Sequence, residues 1–425
     1  MKIAVVGTGI AGNVAAYHLS KEHEVSVFEA DSRIGGHTNT VDVNLAGRQY
    51  AVDTGFIVFN GSTYPNFNAL LDELGVAWQD SDMSFSMRNE MSGLEYKGST
   101  LNTLFAQRRN LLRPSFYRMI RDVLRFEREA LQFLEDGEEL ISLGEFLSTR
   151  KYSSEFIENY IIPMGAAIWS AQPGGMKTMP AIFFIRFFKN HGLLSVDDRP
   201  TWRVIKGGSN RYVEKLVQGH KDQIHLNAPV QRIRRFEDYV ELKVKGAEPQ
   251  YFDQVFLSCH SDQALAMLAD PSADERQVLG AIQYQPNQAV LHTDTNLMPK
   301  RKLAWAAWNY HCLAGKQDKV ALTYNMNILQ GLDAPEQFCV TLNNSEQINP
   351  DRILQTIEYS HPVFTEKAIA AQSRHVDING ANRTYYCGAY WRYGFHEDGV
   401  LSALTALEHF AERSVYEQRY LRRVG

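Results

Sequence analysis

The chain has 425 residues, 44% hydrophobic and 22% charged, with a formal net charge of −5. That length exceeds one ordinary core and predicts two domains, and the acidic balance argues against nucleic acid as a main partner. Four scattered cysteines without a CxxC spacing indicate neither a disulfide framework nor a metal site, and no apolar run approaches the roughly 20 residues that span a bilayer.

Residues 2–6 are a short apolar run that reads as a buried strand. Gly7-Thr8-Gly9-Ile10-Ala11-Gly12 follows at once, and then Val14, Ala15 and Leu19 recur at helical spacing. Residues 25–28 read as a second strand, closed by Glu29. In this setting Gly7 permits the tight turn, Gly9 lets backbone approach a pyrophosphate, and Gly12 lets helix and strand pack closely. The helix N-terminus offers free N–H groups to phosphates. Glu29 stands where a carboxylate accepts ribose hydroxyls and disfavours a 2′-phosphate. These residues predict a dinucleotide and leave NAD and FAD both open. A strand that starts at residue 2 leaves no room for a signal peptide. A cytoplasmic location is expected, with peripheral contact to the inner membrane face as an option.

An NAD domain would continue with another helix and strand. Here Arg33, Gly35, Gly36 and His37 come instead, a loop able to run back over the dinucleotide. Residues 40–44 and 49–52 predict a hairpin that ends in Asp53-Thr54-Gly55-Phe56, small residues that suit backbone lying against a flat ring. Residues 64–75 predict a helix stopped by Gly75. From 76 to about 195 the pattern changes to short strands at 83–88 and 93–97, then to helices. The long one, starting at Pro114, carries Arg118, Arg121 and Arg125 among leucines and aromatics, after Arg108, Arg109 and Arg113. Such a segment either lies on an anionic membrane or caps a core with a solvated basic face. Residues 162–169, small and then bulky, suggest a pocket wall ending in Trp169. Phe183, Phe184, Phe187 and Phe188 read as core or as a substrate tunnel.

Lys206-Gly207-Gly208 closes this region, and a helix is expected over 210–217. Strands at 224–226, 228–233, 240–244 and 254–257 bring the chain back to a nucleotide-type sheet. A second excursion, 266–375, has strands at 288–293, 304–310, 319–325 and 338–342 and is dense in Trp305, Trp308, Tyr310 and Tyr324. Residues 383–389 form a last strand ending in Gly388-Ala389. Tyr390 to Gly399 follow, and then a helix with Leu401, Leu404, Leu407 and Phe410 on one face. The reading is an α/β fold. A discontinuous Rossmann-type domain takes 1–75, 200–265 and 376–425, and a mixed α+β substrate or cap domain takes 76–199 and 266–375.

The glycine turn with Glu29, Gly35-Gly36, Lys206-Gly207-Gly208 and Gly388-Ala389 before a glycine-led last helix resemble, in order and spacing, the flavin amine oxidase and phytoene desaturase superfamily. Residues 53–60, 81–86, 105–107, 168–170 and 393–399 look like the oxidase-like N-terminal domain of plant cyclopropane fatty acid synthases and its free-standing bacterial relatives. In plants that domain is fused to a methyltransferase, for which this chain has no length left. The resemblance implies a glutathione-reductase-like domain holding FAD without a covalent link. Gly7, Gly9 and Gly12 would cradle the pyrophosphate, and Glu29 would bind the adenosine ribose. Arg33, Gly35, Gly36 and His37 would follow the phosphates and ribityl chain. Val230 would meet adenine, and Gly55 and Phe56 would border the flavin ring. The helix starting near Asp398-Gly399, just past Gly388, would aim its positive N-terminus at the flavin edge that gains charge on reduction. Two positions depart from the amine oxidases. His37 stands where they carry Arg, and Tyr390 where they carry an acid.

The pocket candidates are Trp169, Trp308, Tyr324, Tyr393, Phe395 and His396; of these His396, Tyr393, Trp308 and Tyr324 are the catalytic candidates. His396 is either a base, as imidazole titrates near neutrality, or a buried histidine held by its surroundings. Glu397 and Asp398 either take a proton or cap the helix start. Lys206 is the lysine considered for holding water near the flavin. The leading expectation is dehydrogenase or desaturase chemistry on a lipid or acyl chain, linked to cyclopropane or methylated fatty acids. A flavin amine oxidase acting on a small amine is the second. A non-catalytic flavoprotein partner of a lipid methyltransferase is the third.

Overall fold

The computed structural model describes residues 1–137, 141–195, 200–315 and 319–424, with side chains placed to residue 413. Its first strand, Lys2–Val6, lies in the middle of a five-stranded parallel sheet. Across that sheet the strands run Ile224–His225, Glu24–Phe28, Lys2–Val6, Gln254–Leu257 and Thr384–Tyr386. A parallel strand covered on both faces must be apolar on both, and the period of two divides its side chains between two cores. Ile3 and Val5 pack under the helices Ile10–Leu19 and His396–Val424. Ala4 and Val6 pack against an antiparallel meander of Val230–Arg235, Val240–Val244 and Gln250–Phe252. Each fully buried aliphatic side chain contributes about 1.5–3 kcal/mol. The first and last helices approach closely, because a Cβ on Gly399 would lie 2.6 Å from Ile10 Cγ2. The chain therefore closes one sheet with its two ends.

The second large sheet is mixed and seven-stranded: Ile353–Val363, Gln283–His292, Cys339–Leu342, Leu322–Asn325, Trp308–Cys312, Phe85–Asn89 and Leu94–Lys97. Helices Pro114–Glu135, Leu143–Thr149, Ile162–Trp169 and Ala181–Asn190 bury their apolar faces in the same core. The phenylalanine stripe at 183–188 belongs to that core. A small sheet of Val58–Asn60, Trp202–Ile205 and Trp78–Ser81 bridges the two halves.

The structure departs from the expected elements in several places. The eleven-residue strand Ile353–Val363 and the strand Trp78–Ser81 were not foreseen. The last helix starts at His396, ahead of Asp398-Gly399. The helices Ala273–Gly280 and Glu366–Gln372 lie within the sequence-defined second excursion, yet Val278, Leu279 and Ala368 bury in the core of the parallel sheet.

Candidate functional site

A cavity of about 1000 Å³ runs from the glycine turn to the seven-stranded sheet. This is the upper end of the range of about 300–1,000 Å³ usual for ligand cavities. Its first end is built almost wholly from backbone. Gly7 has φ +99°, and a Cβ there would press on Ser258 O at 2.9 Å. A Cβ on Gly12 would lie 2.0 Å from Gly7 O, so strand and helix can approach only without it. A Cβ on Gly9 would meet nothing within 4 Å, so this residue, the N-cap of the first helix, faces open space. The second glycine pair lies against the first. Gly35 N–H donates to Thr8 O at 3.1 Å, and a Cβ on Gly36 would sit 3.1 Å from Gly9 Cα. Arg33 fixes this loop by donating to Gly36 O at 2.7 Å and Thr38 O at 3.1 Å. Glu29 accepts from Thr8 N–H at 2.8 Å, from the Thr8 hydroxyl and from Asp31 N–H at 2.9 Å.

Farther along, the His37 ring stacks on Tyr359 at 4.8 Å and lies 5.2 Å from His361. Burial and the neighbouring His361, His260 and His396 hold its pKa well below the ordinary imidazole value. Its Nε2 is buried without a partner, as is the Tyr390 hydroxyl. Both residues line the cavity. A Cβ on Gly55 would strike His37 O at 2.1 Å, and Phe56 N–H donates to the same oxygen at 2.8 Å. Gly388 N–H donates to the Ser402 hydroxyl at 2.8 Å, and the Tyr390 ring lies across Gly388. A glycine-lined helix N-terminus, a carboxylate at the second strand end and an arginine-pinned loop fit an extended dinucleotide.

The second end is aromatic. Strand register sets Phe85, Trp308 and Tyr324 side by side, and the Trp308 and Tyr324 rings meet edge to face at 5.0 Å. Trp169 Nε1 donates to Tyr393 O at 3.2 Å. The ring of Tyr393 packs on Phe183 at 4.8 Å and that of Phe395 on Phe187 at 5.1 Å. Tyr96 and Tyr160 reach the same space, and a proline explains part of this wall. Pro163 has no N–H to return to Asn159 O, so the Tyr96 hydroxyl donates to that carbonyl at 2.7 Å, beside the wide five-residue turn Ile157–Ile161.

The structure brings together at the cavity Gly7, Gly9, Glu29, Arg33, Gly36, His37, Gly55, Phe56 and Gly388, and with them Trp308, Tyr324, Tyr393 and His396. Five further candidates lie outside its lining. Gly12 and Gly399 sit at helix-packing contacts, and Gly35 supports the loop. Val230 starts its strand just after Ala228, whose N–H donates to Glu29 O at 2.8 Å. Asp398 accepts from Phe395 N–H at 2.9 Å and Tyr393 N–H at 3.2 Å, and burial pushes its pKa up to about 6. Asp398 therefore caps its own helix. Glu397 caps another, accepting from Asn66 N–H and Phe67 N–H at 3.1 and 2.9 Å.

Two candidate roles meet physical objections. The His396 Nε2 lies 2.8 Å from the Tyr212 hydroxyl and 3.1 Å from that of Thr38, and the ring stacks 3.5 Å from Phe56. Burial drives its pKa down to about 3, so it is a poor proton acceptor and a rigid prop. Lys206 is exposed and outside the lining, where Arg33 is the one Lys or Arg among the described residues.

The sequence reading missed Tyr359 and His361, on the unforeseen strand, and Cys259-His260. The last pair was findable, because ligands bind beyond the carboxyl ends of parallel strands and these residues follow Gln254–Leu257. Among the described residues no group of three His, Cys, Asp or Glu is placed to hold a metal ion, and no helix is long and apolar enough to cross a membrane.

A family model described as flavin containing amine oxidoreductase matches residues 10–407. An L-amino-acid oxidase of Siganus canaliculatus is 23% identical over 325 residues, which is 68% of this chain and 56% of that protein. The chain thus matches little more than half of that relative's length. The structure of cyclohexylamine oxidase from Brevibacterium oxydans IH-35A superposes with a TM-score of 0.69 at 14% identity, covering 97% of this chain and 99% of that one. A CLA-producing fatty acid isomerase from P. acnes superposes at 0.66 and 15%, covering 96% and 98%. At such identities the likeness establishes the fold.

Proposed function

The chain belongs to the flavin containing amine oxidoreductase family, whose cofactor here is FAD, and we propose that it oxidises an apolar, acyl-chain-like substrate by dehydrogenase or desaturase-type chemistry. The observation that carries this reading is the aromatic end of the cavity. Trp169, Trp308, Tyr324, Tyr393 and Phe395 line it, and the charged lining residues either gather at the glycine turn or, like Asp82 and Glu358, are exposed. Among the described residues nothing charged is buried there to recognise an ammonium or carboxylate. The resemblance of residues 53–60 and 393–399 to the plant enzymes' oxidase-like domain supports a link to cyclopropane or methylated fatty acids.

In this reading FAD is held without a covalent bond and supplies the two-electron acceptor. The N–H groups at the start of the helix Ile10–Leu19 receive the pyrophosphate, with Gly9 and Gly36 giving close approach. Glu29 turns to the adenosine ribose hydroxyls, and Val230 borders the adenine. Arg33 and His37 follow the phosphates and ribityl chain, and Gly55, Phe56 and Gly388 border the ring. The first turn of the last helix, organised by Asp398 and Gly399, contributes its positive end. Trp308, Tyr324 and Tyr393 orient the chain to be oxidised and exclude water, and His396 positions Phe56. The flavin unit would be built on 1–75, 200–265 and 376–425 and joined by the helices Ala273–Gly280 and Glu366–Gln372, with the rest of 76–199 and 266–375 as the substrate unit.

Extracted lipids test the substrate class. A strain lacking the gene should show an altered fatty acid profile, and an unchanged profile across growth conditions would overturn the lipid reading. Family membership favours a small amine as the second substrate class. Hydrogen peroxide release with an amine panel would establish it. A non-catalytic partner of a lipid methyltransferase would co-purify with that enzyme and bleach with no substrate.

A further inference from the structure

We propose that the basic, apolar face formed by residues 91–128 docks on an anionic phospholipid bilayer and holds the cavity mouth against it. The proposal builds on the acyl-chain reading for what passes through that mouth, while the docking itself needs no chemistry. Met91, Leu101 and Leu112 are 77%, 77% and 88% exposed. Leu111, Tyr117 and Leu124 are also exposed. Hydrogen bonds gather much of this into one surface. Arg109 donates to Gly93 O, joining the Met91 turn to the short helix Arg108–Leu112. The Tyr117 hydroxyl donates to Leu111 O at 3.0 Å, joining that helix to Pro114–Glu135.

On the long helix the buried stripe is Phe116, Met119, Phe126, Ala130 and Phe133. Tyr117, Arg121, Leu124 and Arg128 recur at spacings of four, three and four, and all are exposed. A helix that merely capped a core would need no second apolar stripe, since exposed apolar area is unfavourable in water. Alternation of leucine or aromatic with arginine suits a bilayer interface, where apolar tips insert and cations meet phosphate.

The charge is as distinctive. In a chain of net charge −5, residues 101–128 hold seven arginines against Asp122 and Glu127. Asp122 is buried and shared, lying 3.4 Å from Arg125 and 3.7 Å from Arg121, while Arg118 lies 3.8 Å from Glu155. Arg121 keeps 70% of its side chain exposed. The face also continues into the cavity. Gly98 and Ser99 are exposed and line it, two to three residues before Leu101, and Met83, Tyr96 and Met164 line the space within. An acyl chain lifted from the bilayer here would meet apolar wall at each step.

Co-sedimentation of the full-length flavoprotein with vesicles tests this. The protein should pellet with vesicles of equal phosphatidylglycerol and phosphatidylcholine, stay in solution with phosphatidylcholine alone, and be released by high salt. Arg121→Glu should weaken vesicle affinity about fivefold or more. Leu112→Glu should do the same, with the flavin spectrum and thermal midpoint unchanged in both. Absence of binding to phosphatidylglycerol vesicles, or full binding by both variants, would overturn the proposal. So would a dimer in gel filtration that Leu112→Glu splits, which would give the face to a second copy. Flavin bleaching by detergent-dispersed lipid separates the two claims. Docking without bleaching sinks the substrate reading alone, and bleaching without docking sinks this proposal alone.

Discussion

A methyl group at Gly9 and one at Gly12 should have opposite consequences. At Gly9 it enters the open cavity, and at Gly12 it lands 2.0 Å from Gly7 O. Gly9→Ala should therefore leave the apoprotein's stability within about 0.5 kcal/mol, the usual range for a change that touches nothing, and lower the bound flavin per chain. Gly12→Ala should cost about 1–3 kcal/mol or more through overpacking, and lose flavin as a consequence. Urea melts of apoprotein beside flavin absorbance read both, and a Gly9→Ala protein with full flavin content would contradict the cradle. At the far end, Trp308→Ala should keep the flavin and slow its anaerobic bleaching by substrate at least tenfold, a loss of about 1.4 kcal/mol in the transition state. A tenfold loss of flavin instead would move Trp308 into the cofactor site. The glycines were legible in the sequence because their constraint is local, one turn between two neighbouring elements. Tyr359 and His361 were not, because the partners that place them, Asn39, Thr54 and His37, lie some 300 residues earlier.

Local pattern predicted several long elements with one face buried and the other wet, but missed the short helices Ser261–Met267, Ala273–Gly280 and Glu366–Gln372. The helix Pro114–Glu135 and the hairpin Thr40–Leu45 with Arg48–Asp53 stand where their periodicities put them. The strand Ile353–Val363 lacks that signal. It is an edge strand paired on one side only, with Leu354, Gln355, Thr356 and Glu358 exposed and Pro362 tolerated near its end. Nor could spacing reveal that an acid at the head of one helix serves another. Glu397 caps Pro65–Glu73 from the first turn of the last helix. Glu397→Gln removes a charge from that N-terminus and should cost about 1–2 kcal/mol. A urea midpoint equal to that of the parent would refute the capping role.

Across the whole molecule, burial makes the fold acid-labile. It pushes His191, His292, His361 and His375 to about 4 and His396 to about 3, and holds His37 well below its usual value. Each has a folded-state pKa below its unfolded one. Its contribution is therefore present above pH 6.5 and is lost as pH falls towards the folded value. Asp53 and Asp398, raised by burial to about 6, act in the opposite sense, and their contribution is lost as pH rises through 6. Six imidazoles outweigh two carboxylates, at about 1.4 kcal/mol per pH unit for each fully buried group. The thermal midpoint should drop steeply between pH 6.5 and 4.5, and a flat or rising midpoint would contradict the burial assigned to these rings. The same whole-molecule view explains the cavity. One end is made by the strand–turn–helix units of a parallel sheet and the other by strand register in a second sheet, so the first end carries a local motif while the second was legible only as aromatic candidates and through resemblance.

Anaerobic titration of the purified, yellow holoprotein tests the central claim most directly. Total membrane lipid should bleach the flavin absorbance while a panel of small amines leaves it intact, and denaturation should release FAD. Bleaching by amines with lipid inert would contradict the acyl-chain reading, and a colourless protein that binds NAD would contradict the flavin site itself.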